Sequence, residues 1–169
     1  GAVGFHQSYT YFTWRNEKKE IEDYLWELAR ISDDRMRPAF WPTTHDILTP
    51  YMQRGGLAAF SIRAVLAATG APTWGVYSGY ELVENEEQIN NEKYEFKARD
   101  YTPGEDNGIP HLLGNLNRIR KDHPALQRLR GIVINPTSNE KVLSFTRFAR
   151  PEETPNGKPD AVIVVLNLD

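Results

Sequence analysis

Arg37-Pro38-Ala39-Phe40-Trp41-Pro42-Thr43-Thr44-His45-Asp46-Ile47-Leu48 is a short apolar run that breaks off in two hydroxyls, an imidazole and a carboxylate. A buried parallel strand reads as a brief apolar run bounded by turn residues. In a barrel, the polar groups at its C-terminal end point into the active-site mouth. That makes Asp46 the leading functional candidate of the chain. A second reading stands beside it, because an aspartate ahead of Ile-Leu-Thr is also a competent helix N-cap.

Working outward, the segment before this run contains Asn16, which can cap a helix whose Ile21, Tyr24, Leu25, Leu28 and Ala29 recur at the spacing of one buried face. That helix is predicted to stop near Ser32-Asp33-Asp34. Ahead of it, Gly4-Phe5-His6-Gln7-Ser8-Tyr9-Thr10-Tyr11-Phe12-Thr13-Trp14 is dense in aromatic and β-branched residues and reads as a strand entering an aromatic-lined loop. The aromatic set Tyr9, Tyr11, Phe12 and Trp14 fits barrel packing better than a sugar platform, although the end of that strand faces the same mouth. After the central strand, over 38–44, a turn at Gly55-Gly56 and a helix over 57–68 follow, closed by Thr69-Gly70-Ala71-Pro72. Residues 73–80 read as the next strand. Strand, helix, strand, helix, strand at this spacing predicts a parallel sheet with right-handed crossovers.

Residues 81–108 are polar and longer than the usual connection of about 4–6 residues, and loops of that length are often functional. Pro110 then occupies the first position of a helix with Leu112, Leu113, Leu116 and Ile119 on its apolar face, stopped by His123-Pro124. Beyond Gly131 the texture changes. Ile132-Val133-Ile134, Val142-Leu143-Ser144-Phe145-Thr146 and Ala161-Val162-Ile163-Val164-Val165-Leu166 are separated by Pro, Asn, Gly and charge, the pattern of antiparallel strands. The expected division is 1–130 and 131–169. The chain begins on a strand and ends directly after an apolar one, so both ends read as cut.

The bulk numbers narrow the function. At 169 residues the chain cannot hold a complete eightfold barrel, which takes about 250. Twenty basic and 23 acidic residues, net −3, are spread along it, so neither nucleic acid nor an anionic membrane is indicated. The absence of cysteine removes disulfides, thiolate metal sites and cysteine nucleophiles. No secretory leader and no run of about 18 apolar residues is present, and the reading is a soluble, cytoplasmic protein. His6, His111 and His123 have no metal-ligand spacing and are assigned structural roles; no metal or cofactor is expected.

The order of these pieces, with Asp46-Ile47-Leu48-Thr49, Trp74-Gly75-Val76-Tyr77-Ser78-Gly79-Tyr80-Glu81-Leu82, Asn91-Glu92-Lys93-Tyr94-Glu95 and Asp122-His123-Pro124-Ala125-Leu126, resembles the last three βα units of the α-amylase-family barrel. Within that family the chain resembles the maltose-1-phosphate-dependent α-1,4-glucan maltosyltransferases over nearly its whole length. Phe5-His6-Gln7-Ser8-Tyr9-Thr10-Tyr11-Phe12-Thr13-Trp14-Arg15 and the Asn-Glu-Lys-Tyr block are the subfamily-specific parts.

The resemblance implies an α/β fold: the last three βα units of a (β/α)8 TIM barrel followed by the first strands of a C-terminal all-β sandwich domain. It implies a retaining double displacement, in which one carboxylate attacks the anomeric carbon and another protonates the leaving oxygen. The nucleophile, the acid/base and most of the phosphate pocket would lie upstream of Gly1. Asp46 would be the third carboxylate, the transition-state stabiliser that holds sugar hydroxyls in the reacting subsite. Lys93 and Tyr94 would bind the second glucosyl unit of the donor. The implied substrates are α-maltose 1-phosphate and α-1,4-glucan, and a homodimer is implied. The isolated chain is expected to be inactive.

One departure opens alternatives. The subfamily carries Asn-Thr-Pro before the aspartate, whereas Thr43-Thr44-His45 looks more like the general amylase pattern. His45 is thus a candidate for hydrogen-bonding a sugar hydroxyl, or a satisfied interior histidine. An amylase-type hydrolase or transglycosylase is the second functional reading. A non-catalytic glucan-binding fragment is the third.

Overall fold

A computed structural model describes residues 4–87 and 106–169. Among the described residues, six strands form two three-stranded sheets, one parallel and one antiparallel, accompanied by three α-helices.

The parallel sheet consists of β1 (Gln7–Tyr9), β2 (Arg37–Phe40) and β3 (Thr73–Trp74), in that spatial order. Its register pairs Tyr9 with Ala39 and Phe40 with Trp74. The strands are shorter than the sequence predicts. Past Tyr9 the chain turns into a 3-10 helix, Phe12–Trp14, where the buried Thr13 hydroxyl donates to Pro42 O at 2.7 Å and fixes the turn against the loop after β2. Only Phe12 of the aromatic set packs in the interior, stacked on Phe40 at 4.2 Å between centroids. Tyr9, Tyr11 and Trp14 are exposed in this chain, on the open edge of the parallel sheet.

Helix α1 (Lys18–Arg30) buries Ile21, Leu25, Leu28 and Ala29, as its stripe predicts. Its cap is Glu17 rather than Asn16, in a capping box where the Glu20 carboxylate accepts from the Glu17 backbone N–H at 3.2 Å. Asn16 is occupied elsewhere, its Oδ1 accepting from the buried Arg63 guanidinium.

Helix α2 (Pro50–Gly70) starts earlier than expected. Thr49 caps it, accepting from the Met52 N–H, and Pro50 fills the first turn. This removes the reading in which Asp46 is the cap. The pair Gly55-Gly56 produces a kink instead of a turn: Gly56 sits at φ 51°, ψ −144°, a conformation that side chains other than glycine's oppose, and the helix resumes beyond it. Residues 75–79 likewise leave the sheet after β3, and a 3-10 helix, Tyr80–Leu82, follows.

Helix α3 (Ile109–Asp122) begins one residue before Pro110 and ends at His123, as expected, but Ile119 is exposed. Its Arg120 donates to Ala68 O in the last turn of α2, to Ala71 O and Pro72 O just past its end, and to Leu126 O in the 3-10 helix Pro124–Gln127.

The antiparallel sheet is β4 (Ile132–Ile134), β5 (Val142–Ala149) and β6 (Asp160–Asn167). Its inner face presents Ile132, Leu143, Phe145, Val164 and Leu166 to the same apolar cluster as Phe12, Leu25, Leu28, Phe40 and Leu66. Two polar ties support that contact. The Lys18 ammonium donates to Thr137 O, Thr137 Oγ1 and Asn139 O, and the buried Arg147 donates from Nη1 to Gly70 O at 3.0 Å.

Asp160, at the start of β6, accepts from the Ala125 N–H at 2.9 Å and lies 2.8 Å from His123 Nδ1. Burial alone would raise its pKa, but these contacts outweigh burial and hold it below the ordinary 3.8. A carboxyl with a depressed native pKa stabilises the fold above its unfolded value and loses that contribution as the pH falls through the native one. Asp160→Asn is therefore expected to cost about 1–2 kcal/mol at neutral pH. The gap from the parent should close below pH 3.8, as followed by thermal unfolding at pH 7 and pH 3.

Candidate functional site

The C-terminal ends of the three parallel strands lie side by side, and the loops leaving them carry the predicted residues. After β2, Thr44 and Ile47 exchange both backbone hydrogen bonds, Thr44 N–H to Ile47 O at 3.1 Å and Ile47 N–H to Thr44 O at 3.3 Å. His45 and Asp46 form the tip of this tight turn. The Thr44 hydroxyl accepts from the Asp46 N–H at 3.1 Å and stiffens it. Below the tip, Thr43, Ile47, Leu48 and Thr49 are buried, so the turn stands on a fixed base.

Trp41 supports the other side. Its indole lies against Gly75, where a Cβ would come within 2.5 Å of the ring, so a side chain at residue 75 would push the indole away. The Gly75 N–H also donates to Phe40 O at 3.0 Å, continuing the pairing of β2 with β3 just below the loop.

At the tip, the His45 Nε2 is 3.2 Å from Asp46 Oδ2, with side chains 62% and 46% exposed respectively. In this chain the imidazole faces solvent and not the interior. Its ring lies 6.3 Å from that of Tyr77, from the segment after β3. Tyr9, at the end of β1, pairs with Tyr11 at 5.9 Å between centroids. The Tyr9 phenol is pushed up, first by its partial burial, then by Tyr11 and by the negative charge of Asp46. Asp46 thus acts electrostatically on a residue of the neighbouring strand. All three strand ends contribute to one rim: Tyr9 and Tyr11 from β1, His45 and Asp46 from β2, Tyr77 from β3.

Chemically, this rim offers one carboxylate able to accept from two hydroxyls, an imidazole beside it, and phenols that both hydrogen-bond and present apolar faces. These are the groups that recognise a polyhydroxylated ring. Sequence reasoning singled out His45 and Asp46 and passed over Tyr77, whose position one strand-end away was the available signal. Lys93 and Tyr94 lie outside the described residues. Of the other histidines, His111 pairs with Asp106 at 2.9 Å and His123 with Asp160. Among the described residues, no group of three His, Asp or Glu side chains is arranged to hold a metal ion. No helix among them is long and apolar enough to cross a membrane.

No family model matches the chain. Among curated proteins, it is 67% identical over its full length to an α-1,4-glucan:maltose-1-phosphate maltosyltransferase of Arcanobacterium haemolyticum. It is also 47% identical, over 99% of its length, to the proteins of that name from Bifidobacterium longum and Streptomyces coelicolor. The chain matches these maltosyltransferases over nearly its whole length. It spans about a quarter of the length of these maltosyltransferases, 25% of the first, 23% of the second and 25% of the third. Among solved structures, the γ-CGTase of Bacillus clarkii superposes with a TM-score of 0.64 at 15% identity, covering 92% of this chain and 21% of that one. At that identity the likeness speaks to the fold: a mixed α/β arrangement with parallel and antiparallel sheets, shared by this chain and the γ-CGTase.

Proposed function

We propose that this chain is the part of a retaining maltosyltransferase that carries the third carboxylate of its active site, in a protein that moves maltosyl from α-maltose 1-phosphate to the non-reducing end of α-1,4-glucan. The observation that carries the reading is the exposed His45-Asp46 turn at the C-terminal edge of a parallel sheet, in a chain 67% identical to a maltosyltransferase throughout. On this reading β1, β2 and β3 are the last three strands of a (β/α)8 barrel. Strands β4 to β6 open a C-terminal sandwich, with the division at 130/131.

Asp46 accepts hydrogen bonds from hydroxyls of the sugar in the reacting subsite, favouring the distorted ring of an oxocarbenium-like transition state. His45 donates to a neighbouring hydroxyl. Lys93 and Tyr94 hold the second glucosyl unit, an ammonium serving several hydroxyls and a phenol packing on a pyranose face. The nucleophile and the acid/base come from polypeptide outside this chain, which by itself turns nothing over. The family resemblance further implies a cytoplasmic homodimer.

The deciding experiment is phosphate release from α-maltose 1-phosphate by the full-length protein in the presence of maltotetraose. Release coupled to acceptor lengthening is expected. The specific observation favouring a second reading is His45 ahead of Asp46, the general amylase pattern: reducing-sugar release from long glucan without phosphate chemistry would install an amylase-type hydrolase instead. Lys93→Ala is expected to raise the donor KM about tenfold with a smaller change in kcat. An unchanged donor KM would remove Lys93 from the site.

A further inference from the structure

Between the 3-10 turn after β1 and the first turn of α2 lies an open cleft of about 440 Å³, lined by Trp14, Asn16, Thr49, Tyr51 and Arg54. Its volume is in the range of small-molecule sites, roughly 300–1,000 Å³. Trp14 and Tyr51 contribute aromatic surface, and Trp14 is 41% exposed despite its size. The backbone at Trp14 is fixed within the 3-10 turn, where its N–H donates to Tyr11 O at 3.2 Å.

Tyr51 and Asn16 are held from behind by one buried side chain. The Arg63 guanidinium, 2% exposed, lies over the Tyr51 ring at 4.6 Å, donates to Arg15 O at 2.8 Å and to Asn16 Oδ1. Burial lowers its pKa, yet as an arginine it keeps its proton at neutral pH. A charge placed under the floor at this desolvation cost preorganises two lining residues. Arg54, by contrast, is exposed and makes no hydrogen bond or ion pair among the described residues.

We propose that this cleft binds glucosyl units of an α-1,4-glucan chain, Trp14 and Tyr51 packing on the apolar faces of pyranose rings and Arg54 donating to a vicinal hydroxyl pair. The identification of the ligand rests on the maltosyltransferase reading, and the chemistry of the cleft favours a neutral polyol over an anion. The N-terminus of α2 opens onto the cleft, but its donors are largely used: Pro50 has no N–H, the Met52 N–H goes to Thr49 Oγ1, and the Gln53 N–H goes to Thr49 O. A phosphate would find one guanidinium and few backbone donors, whereas a sugar finds two aromatic surfaces with polar groups between them. The cleft starts at Thr49, directly after the turn that carries Asp46, so a chain lying in it runs along the same rim.

The test uses Trp14→Ala and Arg54→Ala, both at exposed positions, in the full-length protein. Calorimetric titration with maltoheptaose, without donor, is expected to give a dissociation constant raised about fivefold or more in each variant. In the transfer assay the KM for glycogen should rise in parallel, with the KM for α-maltose 1-phosphate unchanged. Unaltered maltoheptaose affinity in both variants overturns the proposal. So does a defect that shows with inorganic phosphate as the titrant and not with maltoheptaose. Should the parent protein release no phosphate from the donor, the activity reading fails by itself, while the maltoheptaose titration still decides the cleft.

Discussion

Alanine at residue 46 of the full-length protein is expected to lower kcat on the order of a thousandfold while leaving the melting temperature close to that of the parent. The expected asymmetry comes from how the turn is built. Three hydrogen bonds that shape it, the two Thr44–Ile47 backbone pairs and the Asp46 N–H to the Thr44 hydroxyl, survive truncation of the side chain, which removes the contact with His45 Nε2. The buried base of Thr43, Ile47 and Leu48 is untouched. On the proposed role, what disappears is a negative charge and two acceptor oxygens beside the reacting sugar, and interactions made chiefly in the transition state appear in kcat rather than KM. Asp46→Asn separates the two losses, retaining one acceptor and the shape while removing the charge; it is expected to be nearly as slow. An alanine variant with more than a tenth of parental kcat would remove Asp46 from the reaction.

The second large effect concerns stability and lies far from the rim. Arg147 on β5 is 1% exposed and donates one bond, Nη1 to Gly70 O, while its Nε and Nη2 find no partner. Burial first, and then the neighbouring Arg120 cation, pull its pKa down to about 10. Arg147→Ala removes the bond to the final carbonyl of α2 and leaves a void between the two sheets. The expected cost is about 3 kcal/mol. Arg147→Met should recover most of it, since a long apolar chain refills the space and no cation is left desolvated. Thermal unfolding of the two variants beside the parent checks this. Equal melting temperatures for alanine and methionine would mean that charge and bond, rather than volume, hold this contact together.

The sequence made the helices and the sheet types legible because both rest on periodicity. The stripe of α1, the Pro110 start of α3 and the alternation of β4 to β6 all correspond to observed elements. Strand length was not legible: the aromatic, β-branched texture of residues 4–14 reads as one pleated run, but the bond from Thr13 to Pro42 bends its second half into a 3-10 turn. The cap of α1 went to Glu17 because Asn16 is drawn to Arg63, a contact 47 residues away that no local pattern contains. The same limit hid Arg63 and Arg147 themselves, since nothing in a run of residues distinguishes a buried arginine from a solvated one. At the site, the apolar run ending in a carboxylate was enough to select Asp46. The tyrosines that share its rim come from other strands, and only the parallel pairing brings them near.

The apolar cluster that unites Phe12, Leu25 and Phe40 with Phe145, Val164 and Leu166 makes the two sheets thermodynamic dependents of each other. Severing the polypeptide near residue 130 would wet aromatic rings and aliphatic chains on both fragments. Each half would then face aggregation in place of folding. The antiparallel part is therefore a wall of the scaffold on which the carboxylate turn rests, and substitutions there can reach the rim through loosening of that common interior without touching any rim residue.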